Sequence, residues 1–326
     1  MLHLQVKTSR VKKRALRFAA PALQGHEWLV YDIDGTAAGP KLCVMAGMHV
    51  NEVAAIAATQ RLIDQYASTT FNGQASILPV LNRPAVSSRA QFICPIDNKN
   101  INFSFPGRPE GSFSEALADA ILNEWAADAT VLIDLHGGDL CENVAQFTVV
   151  PTTDDAEFDA TNLALAQAFN PSIIVRLPRA ILETPGRSCC GRARQGRYAV
   201  FAEAGANGLL DERSTAFHVD GVLGVAAALG MLPGRRAPSG ENALVVTSYH
   251  WLQASEEGWC EYRVEPAQTV QRDQVLATIT DYAGAVVQTL YAPVAGVVLW
   301  RCTHPLVVPS SDLFGIGGLD LDDDAA

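Results

Sequence analysis

The sequence lacks any apolar run of about 18 residues, the length that a helix needs to cross a bilayer. We therefore expect no membrane span. It also lacks an excess of basic residues: Lys and Arg number 24 against 35 Asp and Glu, so the formal net charge is −11 at pH 7. Because a protein that binds nucleic acid needs a net basic face, we do not expect nucleic acid as a partner.

The cysteines show no sign of a disulfide framework. There are seven, which is an odd number, and no Cys-x-x-Cys pair occurs. Cys189 and Cys190 are adjacent, which is poor geometry for a disulfide between them. Free thiols in a reducing compartment fit this pattern, so the sequence predicts a cytoplasmic protein.

Apolar runs alternate with amphipathic stretches over the first two-thirds of the chain. Residues 41–48, 131–135 and 198–202 read as buried strands, and residues 53–66 and 219–232 read as helices. Apolar residues make up 48% of the chain, which is ample for a buried core. This alternation predicts an α/β sheet that helices cover on both faces.

The composition changes at a segment rich in Pro and Gly, which divides the chain into predicted units. Residues 1–234 form a first domain, 235–242 a linker, 243–318 a small all-β domain of barrel or sandwich type, and 319–326 an acidic disordered tail. The β domain is reminiscent of lipoyl or biotinyl carriers, which attach their cofactor through a lysine. Because no lysine follows Lys99, a carrier role is excluded.

Three side chains at the ends of predicted strands have the types found in zinc sites. His49 and Glu52 lie three residues apart where a strand ends and a helix begins, and His136 follows a second strand before two glycines. Together they make a His₂Glu set, which several zinc hydrolases use. Each piece also has a simpler interpretation, as a polar helix-capping cluster for the first pair and as a strand-terminal histidine for His136.

Two carboxylates extend this pattern. Asp134 is two residues before His136, so in a strand it points to the same side and can accept the second ring N–H. Glu203 follows another apolar strand and precedes a Gly-rich turn. A glutamate in a half-buried site can act as the base beside a zinc-activated water, although a strand-end glutamate on the surface is the alternative.

In this order, the motifs resemble the succinylglutamate desuccinylase/aspartoacylase family. The resemblance implies a carboxypeptidase-A-like α/β fold, a mixed sheet flanked by helices, with a small C-terminal all-β barrel-like domain. It also implies a zinc amidohydrolase with one Zn²⁺ per chain and a small-molecule N-acyl substrate. The matching segments are Gly47–Glu52, Asp134–Gly138, Glu203–Glu212, His218–Val222, Leu229–Leu232 and Tyr291–Val297.

The resemblance also implies roles for individual residues. His49, Glu52 and His136 match the zinc ligands, and Glu203 matches the general base and acid. The family has an arginine that polarises the scissile carbonyl, and Arg89 is the best candidate for it in this sequence.

The segment that binds the substrate carboxylate departs from the family pattern. Family members carry an Asn-Arg pair before Phe-Pro-Gly; Asn102 matches the Asn, but Phe103 stands where the Arg belongs. A phenyl ring offers no fork for a carboxylate, so we expect weaker dependence on an α-carboxylate and a larger or more apolar substrate, unless another arginine replaces the lost one. Arg192 and Arg194 lie at about the spacing of a further substrate-side arginine, with a surface role as the alternative.

The resemblance predicts a zinc-dependent deacylase that removes an acyl group from an N-acyl amino acid or an N-acyl amine. Two alternatives stay open. One is a carboxypeptidase-type metallopeptidase, and the other is a non-catalytic relative that binds a metal or ligand. Related enzymes often form dimers or higher assemblies, so a homo-oligomer also stays open.

Overall fold

A computed structural model describes residues 10–319, which fold into helices and strands around a large mixed sheet. The strands are β1 Val11–Leu16, β2 Trp28–Asp34, β3 Ala37–Ala46, β4 Asn72–Leu78, β5 Val131–His136, β6 Glu142–Pro151, β7 Ile173–Leu177, β8 Tyr198–Ala206, β9 Leu244–Val246, β10 Ser248–Gln253, β11 Gly258–Tyr262, β12 Thr269–Val270, β13 Val275–Thr280, β14 Val286–Tyr291, β15 Gly296–Cys302, β16 Leu306–Val307 and β17 Asp312–Gly318. The helices are α1 Val53–Ser68, α2 Ala85–Ser88, α3 Phe113–Ala120, α4 Ala156–Ala168, α5 Ser188–Arg194 and α6 Glu212–Ala228. Short helical turns occupy Pro21–Leu23, Ile101–Phe103, Ile121–Trp125 and Arg179–Glu183. None of the helices in the described part of the chain is long and apolar enough to span a membrane.

The centre of the large sheet is parallel, and this sets where polar side chains can gather. Strands β4, β3, β5 and β8 lie side by side in parallel, while β1 and β2 on one flank and β6 on the other run antiparallel to their neighbours. In a parallel sheet, the carboxyl ends of neighbouring strands meet at one edge, where ligand sites form. The residues that follow β3 and end β5 are therefore brought together.

The central strands are buried on both faces, which explains their nearly unbroken apolar sequence. In β3, Leu42 and Val44 pack on one side with the apolar faces of α1 and α6. Cys43 and Met45 point the other way, into a second core that includes residues of α3. This alternation follows from the two-residue period of a strand, and it confirms the predicted mixed α/β architecture.

The C-terminal strands are divided between two sheets, so the predicted barrel-like form is not confirmed. Strands β9, β10, β12, β15 and β17 join the large sheet, with β15 paired to β6. Strands β14, β13, β11 and β16 form a separate antiparallel sheet with its own small core. Residues 235–242 hold no helix or strand. Most of the predicted acidic tail, residues 320–326, lies outside the described residues.

Candidate active site

Three predicted ligands converge at the carboxyl edge of the parallel strands. His49 lies on the turn after β3, Glu52 directly precedes α1, and His136 is the last residue of β5. All three are buried, and one ligand atom from each lies within 4.8 Å of the others. Nδ1 of His49 is 2.6 Å from Oε1 of Glu52, and Nδ1 of His136 is 3.0 Å from Oε2 of Glu52.

The backbone on either side of the cluster is shaped by glycine. Gly47 has a φ of +66°, and a Cβ atom there would stand 2.9 Å from the Cα of Val80. A glycine thus allows the sharp turn that brings His49 back over the sheet. Glu52 occupies the N-cap position of α1, but its side chain makes no capping hydrogen bond. Its carboxylate faces the imidazoles instead, which is not the geometry of a helix-capping cluster.

Each imidazole has a polar neighbour at the ring nitrogen away from Glu52. Nε2 of His49 donates to Oδ1 of Asn100 at 3.0 Å, which leaves Nδ1 free to act as a ligand atom. Nε2 of His136 lies 3.1 Å from Oδ1 of Asp134, and the Ser188 hydroxyl donates to the other oxygen of Asp134 at 2.5 Å. Such neighbours fix the tautomer and orientation of histidine ligands.

The donors fit a zinc ion. Oε2 of Glu52 and Nδ1 of His136 are buried and have no hydrogen-bond partner of adequate geometry among the described residues. Burial would raise the pKa of Glu52, but His49 and His136 lower it to about 2. Burial would lower the pKa of His136, but Asp134 and Glu52 raise it well above its usual value. The pocket thus favours positive charge, and a zinc ion takes the place of such protons when it binds.

Glu203 stands beside the ligand set on the neighbouring strand. The parallel register pairs His136 with Glu203 and Asp134 with Phe201, so all four side chains project from one face of the sheet. The His136 ring stacks on the Phe201 ring at 4.3 Å between centroids. Burial raises the pKa of Glu203 well above its usual value, and the imidazole of His136 opposes that rise.

Residues 38–229 match the family described as the succinylglutamate desuccinylase/aspartoacylase catalytic domain, which covers more than half of the chain. The chain belongs to the succinylglutamate desuccinylase/aspartoacylase family. A curated relative from Halomonas elongata, N-alpha-acetyl-L-2,4-diaminobutyric acid deacetylase, is 27% identical over 250 residues, which are 74% of this chain and 71% of the relative.

Two solved structures share the fold of this chain. The product-bound ectoine utilization protein EutE (DoeB) from Ruegeria pomeroyi superposes with a TM-score of 0.81 at 23% identity, covering 95% of each chain. An aspartoacylase family protein from Mesorhizobium loti superposes with a TM-score of 0.78 at 22% identity, covering 98% of each chain. The likeness extends over the C-terminal strands as well as the catalytic domain.

Only some of the residues predicted to bind the substrate lie near His49, Glu52 and His136. Arg89 is exposed, and its main-chain carbonyl accepts from Nδ2 of Asn51 at 3.3 Å. Asn102 is buried, but it is Asn100 whose side chain is hydrogen-bonded to His49, one of the predicted zinc ligands. Phe103 is 48% exposed and lines a surface depression of about 360 Å³ together with Asn100.

The structure does not bring the two predicted substrate-side arginines to the site. Arg192 is fully buried, and its guanidinium donates to the carbonyls of Ala126 and Ala129 at 3.0 and 2.8 Å. These carbonyls precede β5, whereas His136 ends it, so Arg192 lies at the opposite edge of the sheet. Arg194 donates to the carbonyl of Thr184. Arg192 thus stabilises the chain entry into β5.

Substitution of Arg192 by Ala should destabilise the protein without a specific effect on substrate binding. The change removes two hydrogen bonds that a charged guanidinium donates, and it leaves the carbonyls of Ala126 and Ala129 without that donor. We therefore expect the free energy of unfolding to fall by about 3–5 kcal/mol. Urea denaturation measures this loss. Arg179→Ala, an exposed arginine with surface ion pairs, should change it by about 0–1 kcal/mol. If Arg192→Ala instead raised KM and left the stability unchanged, Arg192 would have to be assigned to the substrate site.

Several residues near the ligand set carried no sequence signal. Arg187, half-buried just before α5, lies over the Phe201 ring, and Tyr249 of β10 packs on the same guanidinium. Glu142 at the start of β6 is an acid whose pKa burial and Glu52 raise to about 8. None of them belongs to a motif with a ligand spacing. The sequence could have pointed to Asn100, because it lies two residues before Asn102 in the segment that resembles the family's substrate-binding motif.

Proposed function

We propose that this protein is a zinc-dependent deacylase that hydrolyses the amide bond of an N-acyl amino acid. The observation that carries the proposal is the buried convergence of His49, Glu52 and His136 with Glu203 on the adjacent strand. Family membership supports amide hydrolysis. The relative from Halomonas elongata, whose name describes a deacetylase for an N-acetylated diamino acid, supports this substrate class.

The ligand set would hold one zinc ion through Nδ1 of each histidine and the carboxylate of Glu52. Zinc bound there supplies Lewis-acid chemistry, which polarises a carbonyl oxygen and activates water. Asp134 would keep the proton of His136 on Nε2, and Asn100 would do the same for His49. With zinc bound, each imidazole would be neutral and would direct its lone pair toward the ion.

Glu203 would move the proton in this reaction. Its carboxylate accepts a proton from the attacking water and returns it to the nitrogen of the leaving amine, as the amide C–N bond breaks. A raised pKa suits this role, because the carboxyl group must keep the proton between the two transfers. Arg89 remains our candidate for the group that contacts the acyl carbonyl oxygen, from the loop that Asn51 fastens to the ligand turn.

A substrate screen tests the proposal directly. The zinc-loaded protein is assayed for amine release from N-acetyl and N-succinyl amino acids, including N-alpha-acetyl-L-2,4-diaminobutyric acid, and from short unblocked peptides. Faster turnover of the acylated amino acids is the expected result. Faster cleavage of peptides at their C-terminal residue would favour the metallopeptidase alternative, and stoichiometric zinc without turnover of either class would favour the non-catalytic one.

The cellular setting also belongs to this proposal. All seven cysteines lie within residues 10–319 and are free thiols, which is consistent with a reducing compartment. We therefore propose that the reaction takes place in the cytoplasm. Whether the chain forms a homo-oligomer stays a prediction.

A further inference from the structure

We propose that Asn51 and Asp139 are positioning residues, which form a buried pair that holds Arg89 next to the turn carrying two of the zinc ligands. The inference rests on the proposed deacylase function, in which Arg89 contacts the acyl carbonyl oxygen. It gives a role to two polar side chains that act on the reaction through Arg89 and are not themselves ligands or bases.

A hydrogen bond between two buried side chains connects the turn after β3 with the loop after β5. Asn51 lies between His49 and Glu52, and Asp139 lies three residues after His136. Nδ2 of Asn51 donates to Oδ1 of Asp139 at 2.9 Å, and the exposed fractions of the two residues are 6% and 0%. Because a carboxylate acceptor shielded from water makes a strong hydrogen bond, this pair fixes the direction of the Asn51 side chain.

The same amide group of Asn51 contacts the main chain of Arg89. Its Nδ2 donates to the Arg89 carbonyl at 3.3 Å, and an amide nitrogen has two N–H groups, one for Asp139 and one for this carbonyl. Arg89 ends α2 with a φ of +50° and a ψ of +38°, a left-handed conformation that residues with a side chain rarely adopt. Such a conformation persists when surrounding contacts hold it, and Asn51 supplies one of them.

Asp139 is itself held by the main chain around it. Its Oδ1 also accepts from the N–H of Leu140 at 2.5 Å, and its carbonyl accepts from the N–H of Glu142 at 3.0 Å. Asp139 therefore gives Asn51 a fixed acceptor at the sheet edge where the zinc ligands meet. Oδ2 of Asp139 is buried and has no hydrogen-bond partner among residues 10–319, so an asparagine here can keep both bonds of Oδ1.

A double-mutant cycle tests whether Asp139 acts through Arg89. With zinc-loaded protein and N-alpha-acetyl-L-2,4-diaminobutyric acid, Asp139→Ala should lower kcat by about 10–100-fold and leave KM and zinc content unchanged, because a misplaced group loses its effect in the transition state. Asp139→Asn should keep kcat within about threefold of the unsubstituted value, since Oδ1 remains. Arg89→Ala should lower kcat by about 10²–10³-fold. In that background, Asp139→Ala should cost less than about twofold more, because the residue that it positions is absent.

Limited proteolysis measures the position of Arg89 without turnover. Trypsin cleaves after an exposed arginine when the main chain can leave its folded conformation, and Arg89 is exposed. Asp139→Ala should raise the rate of cleavage after Arg89 by about tenfold, and Asp139→Asn should not. Cleavage after Arg236, in the exposed segment that follows α6, is the internal reference and should stay constant. Asp155→Ala removes a carboxylate that accepts from main-chain N–H groups at the start of α4, and it should change neither kcat nor the cleavage rate.

Three results would each overturn the positioning role. They are unchanged cleavage after Arg89 in Asp139→Ala, kcat losses for Asp139→Ala and Arg89→Ala that multiply in the double variant, and equal losses for Asp139→Asn and Asp139→Ala. If the unsubstituted protein hydrolyses no N-acyl amino acid, the deacylase proposal fails, and the cleavage rates alone decide whether the pair holds Arg89. Hydrolysis together with unchanged cleavage in Asp139→Ala gives the reverse, since the deacylase then stands and the positioning pair falls.

Discussion

Replacing Glu203 with Gln should lower kcat on an N-acyl amino acid by about 10²–10⁴-fold while one zinc ion per chain is retained. The amide has the same shape as the carboxylate but cannot accept the proton of the attacking water. The pairing of β5 with β8 runs through backbone atoms, so the substitution leaves His136 in register. Steady-state kinetics and elemental analysis of the same preparation measure both quantities.

The control for Glu203→Gln applies the same chemical change elsewhere. Glu212 at the start of α6 is exposed and paired with Arg61 on the surface, so Glu212→Gln should leave kcat unchanged. Turnover at the unsubstituted rate by zinc-loaded Glu203→Gln would remove Glu203 from the mechanism. Loss of zinc together with turnover would instead assign Glu203 to metal retention.

Replacing His136 with Ala should abolish stoichiometric zinc binding and, with it, turnover. The substitution removes one of three protein ligands from a buried site, and Glu52 then faces only His49. In the unsubstituted protein, free zinc at 100 times its Kd should raise the free energy of unfolding by about 2.7 kcal/mol, a stabilisation that His136→Ala should lack. Metal analysis after dialysis and thermal unfolding with and without zinc give two independent measurements.

A graded variant distinguishes a zinc ligand from its supporting groups. Asp134→Asn removes the carboxylate charge next to Nε2 of His136 but retains all three ligands, so we expect zinc affinity to fall by about 10–100-fold rather than vanish. His304→Ala deletes an exposed imidazole in the loop between β15 and β16 and should leave zinc content unchanged. Equal zinc content in His136→Ala and the unsubstituted protein would refute the ligand assignment.

Sequence patterns located the central strands better than the flanking ones. The runs around residues 41–48 and 131–135 correspond to parts of β3 and β5, because strands buried on both faces must be apolar throughout. Strand β1, with the sequence VKKRAL, escaped prediction because it lies at the edge of the sheet and is mostly exposed. Helix α5 was also missed, since seven residues with two arginines and a glycine carry little periodic signal.

The arginines before Glu203 show that spacing along the chain does not predict which side chain faces the site. Arg187 and Arg192 are five residues apart. Arg187 nevertheless lies over the Phe201 ring, on the side of the sheet that carries His136, whereas Arg192 donates to carbonyls just before the amino end of β5. A helix turns about 100° per residue, so counting back from Glu203 cannot tell which arginine faces the site. The direction of each side chain depends on which elements α5 packs against.

The order of residues was enough to assemble the ligand set, because each member is attached to a buried strand or to the helix that follows it. Chain connectivity and apolar pattern then leave a single sheet edge where His49, Glu52 and His136 can meet. The position of Arg187 could not be predicted in this way. Arg187 acquires its position from Phe201 and Tyr249, and the latter comes from a strand 62 residues further along the chain. Contacts between such distant segments arise only when the sheet is complete, since packing and not local pattern selects them.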